Sequence, residues 1–451
     1  MNSAMNSAAL HREKCIHLAA ELAAARSSGA PVGLRKSHSN LFRRDLRGKA
    51  RVDVRRFTRV LGIDRERMLA DVEGMTTYQD FAAATLPLGL LPAVVPQLKT
   101  ITVGGAVSGL GIESSSFKFG LVHETAEEME ILLGDGRIVV CSPSQEPDLF
   151  FGFPNSYGTL GYALRLKVKL IPAQPYVHLT HTRFSDPAQY FARISEASGE
   201  VSAEDYLDGV IFGDREMILT RGVFSMDAPR VSKYTYMGIY YRSLQRLRED
   251  WLTAHDYIWR WDTDWFWCSK QFGVQHPALR AFVPWALNSR TYQRIMRLSQ
   301  ALFPDSPSKE AVIQDVAIPI QHAEKFFWFL RQEIGITPVW VCPFRTHQAW
   351  DLNPLKPGQL YINFGFWDLV ATTHDRGYFN RKVEAKASEL SGAKALYSSS
   401  YYDEQTFWSI YNRPRYESLR QKYDSTRTFP DLYKKVCRAG LQPAAELPLG
   451  S

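Results

Sequence analysis

Cysteine, long apolar runs and the familiar phosphate-loop signatures are scarce in this 451-residue chain, and each scarcity excludes a class. Cys15, Cys141, Cys268, Cys342 and Cys437 are scattered, odd in number and never spaced C-x-x-C. That excludes a disulfide framework and a cysteine-built metal centre, so no metal is expected and a reducing, cytoplasmic setting is. The longest apolar run, Phe81–Val95, is broken by Pro87 and Pro92 and is too short to span a bilayer as a helix. The opening MNSAMNSAALHREKCIHLAAELAAARSSG lacks the basic-then-apolar order of a signal peptide. It reads instead as an amphipathic helix ending at Gly29, with Ile16, Leu18 and Leu22 set among charges. No G-x-G-x-x-G lies between strand and helix patterns and no G-x-x-x-x-G-K-[ST] occurs, which excludes the Rossmann and Walker phosphate sites.

What is present is the composition of a soluble enzyme, 45% hydrophobic and 22% charged, with length enough for two domains. The net charge of +7 is concentrated: between Arg35 and Arg59 ten Lys/Arg stand against Asp45 and Asp53, an excess of eight. Such a patch suits cofactor phosphates or peripheral contact with an anionic membrane. Without interleaved aromatics or a recognition motif, nucleic acid is not expected.

The stretch Leu98–Gly120, LKTITVGGAVSGLGIESSSFKFG, gathers five glycines and four serines directly before a strand pattern. Glycines admit close backbone approach and hydroxyls donate without bulk, so the stretch reads as a pyrophosphate cradle or else as a small-residue surface turn. Upstream, RKSHSNLF follows a short β entry at Pro31–Leu34; Arg35, Ser37, His38, Ser39 and Asn40 either meet phosphate or form a basic turn. Strands are expected over Ala50–Val54 and Arg67–Glu73, then a helix from a Thr76 cap to Thr85. A hairpin turns at Asp135–Gly136, and a half-buried strand alternates through Tyr162, Leu164, Leu166, Val168 and Leu170. After a break at Pro172–Pro175 come strands at Val210–Phe212, Met217–Arg221, Tyr234–Tyr240, Gln314–Ile318, Pro338–Phe344 and Gln359–Phe364. Helices are expected over Phe379–Leu390 and Phe407–Ala439. Trp251, Trp259, Trp261, Trp265, Trp267 and Trp285 cluster in a segment that suits either a lipid-facing surface or channel, or an aromatic core.

GIESSSFKFGL, DLFFGFPNSYGTLGYALRLKVKLIPAQPYV, PVWVCPFR and the closing FWSIYN, YESLRQKY and FPDLYKKVC together resemble one family. It is that of the FAD-binding type 2 flavoproteins, the vanillyl-alcohol oxidase and p-cresol methylhydroxylase superfamily, in its delta-24 sterol reductase-like branch. The resemblance runs from about Val32 onward, and TDWFWCSKQFGVQHP looks more like the bacterial reductases of 10-methylene fatty acyl chains. It implies an α+β fold: an FAD-binding domain of the p-cresol methylhydroxylase type over residues 1–172, a substrate cap over 173–409 and a helical return over 410–451. It implies non-covalent FAD held by the Arg35–Asn40 turn, Pro96, Thr102, Gly104, Gly105, Gly109, Gly111, Ile112, Ser114, Ser115, Ser116, Gly158 and Gly161. It further implies NADPH as donor, a lipid alkene as substrate (a fatty acyl phospholipid first, a sterol second) and a lipid methyltransferase partner.

An alkene with no carbonyl to polarise it needs a proton as well as a hydride, so a general acid in an aromatic pocket is required. Tyr397, Tyr401 and Lys394 are the leading candidates, with His123, Glu113 and Asp315 behind them. The superfamily also contains oxidases, for which His38 or His123 would carry a covalent flavin.

Overall fold

The computed structural model describes residues 2–39, 42, 50–199, 201–302 and 308–437. It is an α+β structure built on two antiparallel sheets. The first runs, in spatial order, Val60–Asp64, Leu69–Glu73, Tyr162–Pro172, Ala126–Leu132 and Ile138–Cys141, with Leu90–Pro92 pairing on the long strand. Along Tyr162–Pro172, Tyr162, Leu164, Leu166, Val168 and Leu170 are buried and the intervening residues are not, as a period of two demands of a one-sided strand. Val32–Arg35 and Ala50–Asp53 form a parallel pair beside this sheet.

The second sheet has eight strands in the order Glu249–Thr253, Tyr176–Phe184, Glu216–Ser225, Tyr206–Gly213, Val339–Arg345, Leu360–Ala371, Lys309–Pro319 and Ala393–Lys394. Helices Pro187–Ala197, Ala323–Phe329 and Tyr378–Glu389 cover one face, packing Tyr190, Phe191, Phe326, Phe327 and Val383 onto Val312, Val316, Ile318, Val341 and Phe364. The alternate positions, among them Asp315, Ala317, Trp340 and Asn363, face a cavity shared with the first half of the chain. The closing segment returns to the first sheet, with Phe429 against Tyr162 at 4.7 Å and Thr428 Oγ1 donating to the Gly134 carbonyl at 2.9 Å.

Three local expectations differ. Tyr234–Tyr240 is not a strand: Tyr234 and Tyr240 are buried by packing on each other and on Trp261, and Tyr240 begins the short helix Tyr240–Leu244. The single helix expected from Phe407 is three, Glu404–Ile410, Arg413–Tyr423 and Leu432–Val436. Asn412 in the left-handed region and Pro414 start the second, and Pro430 with the Asp431 cap starts the third. The cap of Tyr78–Thr85 is Thr77, one residue later than expected, its hydroxyl accepting from the Asp80 amide.

The first helix, Asn2–Arg26, docks through His11, Cys15, Leu18 and Leu22, whereas Ile16 is 71% exposed. No helix among the described residues is long and apolar enough to cross a membrane. His11 Nδ1 meets Glu73 Oε1 at 2.9 Å and Nε2 meets Glu130 Oε1 at 2.8 Å, while Lys14 also holds Glu73. Burial alone would lower the His11 pKa, but bonds to Cys15, Glu130 and Glu73 outweigh it and raise it to about 11. His11→Ala should therefore cost about 2 kcal/mol in denaturant unfolding, since Lys14 and Arg165 still partner the two glutamates. A raised folded pKa stabilises fully below the unfolded value near 6.5, so the gap between wild type and variant should shrink as pH climbs from 6.5 towards 11.

Candidate functional site

A cavity of about 740 Å³ lies between the two sheets, walled by the glycine-rich stretch, by Tyr157–Leu164 and by the inner face of the larger sheet. Thr102 opens the short helix Val103–Ser108, which is pressed against the first sheet at Gly104. The Gly104 amide donates to the Gly74 carbonyl at 2.9 Å, and a Cβ on Gly104 would lie 2.9 Å from that oxygen. Gly105 points the other way, exposed towards the cavity, and a Cβ there would meet only the Thr102 hydroxyl. Gly109 and Gly111 complete the wall: a Cβ on either would press on Tyr157 or on Val122, Ala106 and Pro96. Tyr157 ties the loop down, its hydroxyl donating to the Gly109 carbonyl and its amide to that of Ser108, both at 3.2 Å. Gly158 follows at φ 73° and Gly161 at φ 155° with Leu132 O only 2.8 Å from its Cβ position, which explains two glycines in five residues.

Of the residues expected to hold FAD, His38, Ser39, Pro96, Thr102, Gly104, Gly105, Gly109, Gly111, Ile112, Gly158 and Gly161 line this cavity. Arg35 and Ser37 do not; they alternate outward from Leu34 and Lys36, which do. Asn40 lies outside the described residues. Ser114, Ser115 and Ser116 are fully buried and turned away from the cavity. Ser114 Oγ donates to Glu113 Oε1 at 2.7 Å, Ser115 Oγ to the Ala93 carbonyl at 2.8 Å, and Ser116 Oγ accepts from the Glu113 amide at 3.1 Å. Their hydroxyls satisfy a tight turn between the two sheets, so they shape the loop without facing a ligand.

The wall fits a large polar-headed ring cofactor. Gln97 Nε2, Asn155 Oδ1 and Asn353 Nδ2 are buried side-chain atoms with no hydrogen-bond partner among the described residues, and all three side chains line the cavity. Buried amides are rarely left unpaired, so these point to a ligand with matching donors and acceptors. Lys36, Arg51 and Lys435 add positive charge along the same wall, as a pyrophosphate needs. Arg51 belongs to the basic Arg35–Arg59 patch expected to meet cofactor phosphates; Gln97, Asn155, Asn353 and Lys435 were missed, because single polar residues far apart in the chain carry no local pattern.

The candidate acids separate just as sharply. Tyr401 lies off the cavity, its ring against Gly377 and its amide on Glu384. Lys394 reaches the wall, but its amine is buried on Glu384 Oε1 at 3.0 Å and the Ser399 carbonyl at 2.7 Å. His123 is fully buried beside Trp350, and burial pushes its pKa down to about 3, leaving it neutral. Glu113 is consumed by Arg260 at 2.8 Å. Tyr397 and Asp315 remain, and both line the cavity. Asp315 Oδ1 accepts from Asn363 Nδ2 at 2.6 Å, Tyr397 accepts from Trp367 Nε1 at 2.9 Å, and the two side chains are close enough for each to act on the other's ionisation. Desolvation, only partly offset by Asn363 and Tyr397, raises Asp315 to about 6, and it holds the Tyr397 hydroxyl well above its ordinary value. Gly365 stands opposite Asp315 in the sheet, and a Cβ there would come within 2.6 Å of the carboxylate. Trp265, Phe266, Trp340 and Trp367 surround this end of the cavity. The tryptophan-rich segment is thus mainly core: Trp259, Trp261, Trp265 and Trp267 are buried, and Trp285 is exposed.

The family described as FAD binding domain matches residues 13–142. The chain is similar to the delta(24)-sterol reductase of Homo sapiens, 27% identical over 407 residues, covering 84% of this chain and 76% of that one. It is 26% identical to the delta(24)-sterol reductase of Pisum sativum over 443 residues, 88% and 77% of the two chains. Cytokinin dehydrogenase 6 of Oryza sativa subsp. japonica is 32% identical over 145 residues, 31% and 27% of the chains.

Gly105→Leu tests the placement of FAD. Its Cβ would crowd only the Thr102 hydroxyl, at 2.8 Å, which a turn of that side chain relieves, so the variant should fold with wild-type melting behaviour of its apo form yet purify without flavin absorbance. Stoichiometric yellow flavin in the purified variant would put the cofactor elsewhere.

Proposed function

Because the chain is a sterol-reductase-like flavoprotein, an FAD-dependent reductase of carbon–carbon double bonds, we propose that it reduces an isolated alkene in a sterol-type lipid, with NADPH as donor. The 10-methylene fatty acyl substrate suggested by Thr263–Pro277 draws no support from the relatives, whose names are those of sterol reductases. The observation that carries the reading is the Asp315–Tyr397 pair, a carboxyl raised to about 6 and a phenol, set in an aromatic cavity beside the glycine wall.

The chemistry that FAD supplies when bound is hydride transfer to carbon. Gln97, Asn155 and Asn353 would hold it by its polar edges, and the basic wall would meet its phosphates. The protein's own part is the proton. Tyr397 holds one at its hydroxyl, and Trp367 Nε1, donating to that oxygen, orients it. Asp315, fixed by Asn363, holds the proton that replaces it. Protonation of an alkene at its less substituted carbon leaves a tertiary cation, which the faces of Trp265, Phe266, Trp340 and Trp367 stabilise while excluding water.

Tyr397→Phe should slow product formation about 10²–10⁴-fold while leaving flavin content and flavin reduction intact, and Tyr401→Phe should change little. In deuterated water one solvent deuterium should appear on the less substituted alkene carbon. Tyr397 is reloaded only from protonated Asp315, so turnover should fall about tenfold per pH unit above pH 6, and Asp315→Asn should abolish that limb. Full turnover in Tyr397→Phe would remove this assignment. Anaerobic mixing with NADPH should bleach the flavin rapidly; bleaching by an alcohol alone would indicate an oxidase. Parallel assays on a Δ24 sterol and a 10-methylene phospholipid decide between the two alkenes.

A further inference from the structure

Among the described residues twelve large hydrophobic side chains are exposed, and six of them come from two stretches, Tyr236 and Met237 from one and Leu279, Phe282, Trp285 and Ile295 from the other. Phe282 is 81% and Trp285 77% exposed, at the tips of the short helical turns Pro277–Phe282 and Pro284–Ala286. Leu279 and Phe282 are three residues apart on one helix face, and the Tyr236 hydroxyl donates to the Ala281 carbonyl at 3.3 Å, which joins the two stretches. Isolated surface hydrophobics need no explanation, but exposed aromatic and aliphatic side chains gathered on two joined stretches do.

These tips are held out on a braced frame. Arg280 is buried and forks onto both oxygens of Asp264, at 2.7 and 2.9 Å, and also bonds the carbonyls of Tyr236 and Gly238. Asp262 accepts from the Lys99 amide at 2.9 Å and from Ser289, tying the segment to the start of the glycine-rich stretch. The inner side of the same segment lines the cavity through Trp265, Cys268 and Gln293. Asp264, next to the cavity-lining Trp265, holds Arg280 between Leu279 and Phe282, so the frame that carries the patch is anchored at the cavity wall.

We infer that Pro277–Ile295 is a docking face that seats the cavity on the surface of a lipid bilayer, so that an apolar substrate passes from membrane to cavity without crossing water. The inference rests on the reading that the substrate is a lipid. Its occupant follows from composition: the segment has no Asp or Glu, and Arg290 and Arg294 are exposed beside the aromatic tips. An aromatic tip with a cationic rim matches an interface of headgroups over acyl chains. A second copy docked face to face would set the arginines of one against those of the other.

The test is sedimentation of the FAD-loaded protein with vesicles of phosphatidylcholine, and of phosphatidylcholine containing phosphatidylserine. Wild type should bind both, bind the anionic vesicles more tightly, and retain the neutral ones in high salt. Phe282→Asp with Trp285→Asp should bind at least about tenfold more weakly to both, while keeping its flavin and its melting temperature. Wild-type protein that binds neither vesicle, or a double variant that binds as wild type does, would overturn the proposal. So would wild type that self-associates in solution when the double variant is monomeric. Vesicle binding that depends on Phe282 and Trp285, in an enzyme that reduces neither lipid alkene, would keep the docking face and remove the substrate reading.

Discussion

The structure turns on a contact made without side chains. A Cβ on Gly74 would lie 2.0 Å from the Ala163 carbonyl oxygen, and one on Gly104 would lie 2.9 Å from that of Gly74. Three backbones are thus in contact, clipped by Gly74 N–H to Leu164 O and Gly104 N–H to Gly74 O, each at 2.9 Å. This sets the helix Val103–Ser108 across the ends of Leu69–Glu73 and Tyr162–Pro172 in the first sheet, turning Gly105 to the cavity and Val103 and Val107 to the core. The floor of the cavity is therefore main chain, with no side chain to intrude on a bound ring or phosphate.

The opposite wall is fixed to that floor by charge. Arg260, buried, donates to Glu113 Oε1 and Asp208 Oδ2, both at 2.8 Å, and lies 4.0 Å over the Tyr257 ring. Burial works against the guanidinium, but Tyr257, Glu113 and Asp208 outweigh it and keep it charged. Glu113 belongs to the glycine-rich stretch and Asp208 to the eight-stranded sheet, so one arginine joins the two halves at the edge of the site. Neutralising only one partner would leave a charge buried without its counterpart, which is far costlier than losing a surface pair.

Much of this was legible in the chain, for physical reasons. Alternation along Tyr162–Leu170, the Asp135–Gly136 turn and the crowding of glycines at Gly104–Gly111 are local rules, and local rules survive without knowledge of the fold. The serines at 114–116 misled because a hydroxyl reads the same whether it faces a ligand or satisfies a turn. Lys394 and Tyr401 misled because their partner, Glu384, sits on a helix ten or more residues away, and nothing in the residues around them reveals which way an amine points. Asn363 and Trp367 escaped notice since only the pairing of Lys309–Pro319 with Leu360–Ala371 brings them to Asp315 and Tyr397.

In the larger sheet Asp315 and Ala317 look into the cavity while Val316 and Ile318 pack under the helices. Recognition and folding are thereby written on alternate letters of the same strands. Substitutions at the cavity letters change pocket shape at little cost to the helix-packed core. A lineage with this scaffold is free to drift from one apolar substrate to another by single steps, each intermediate still folded, with the proton-donating corner left in place.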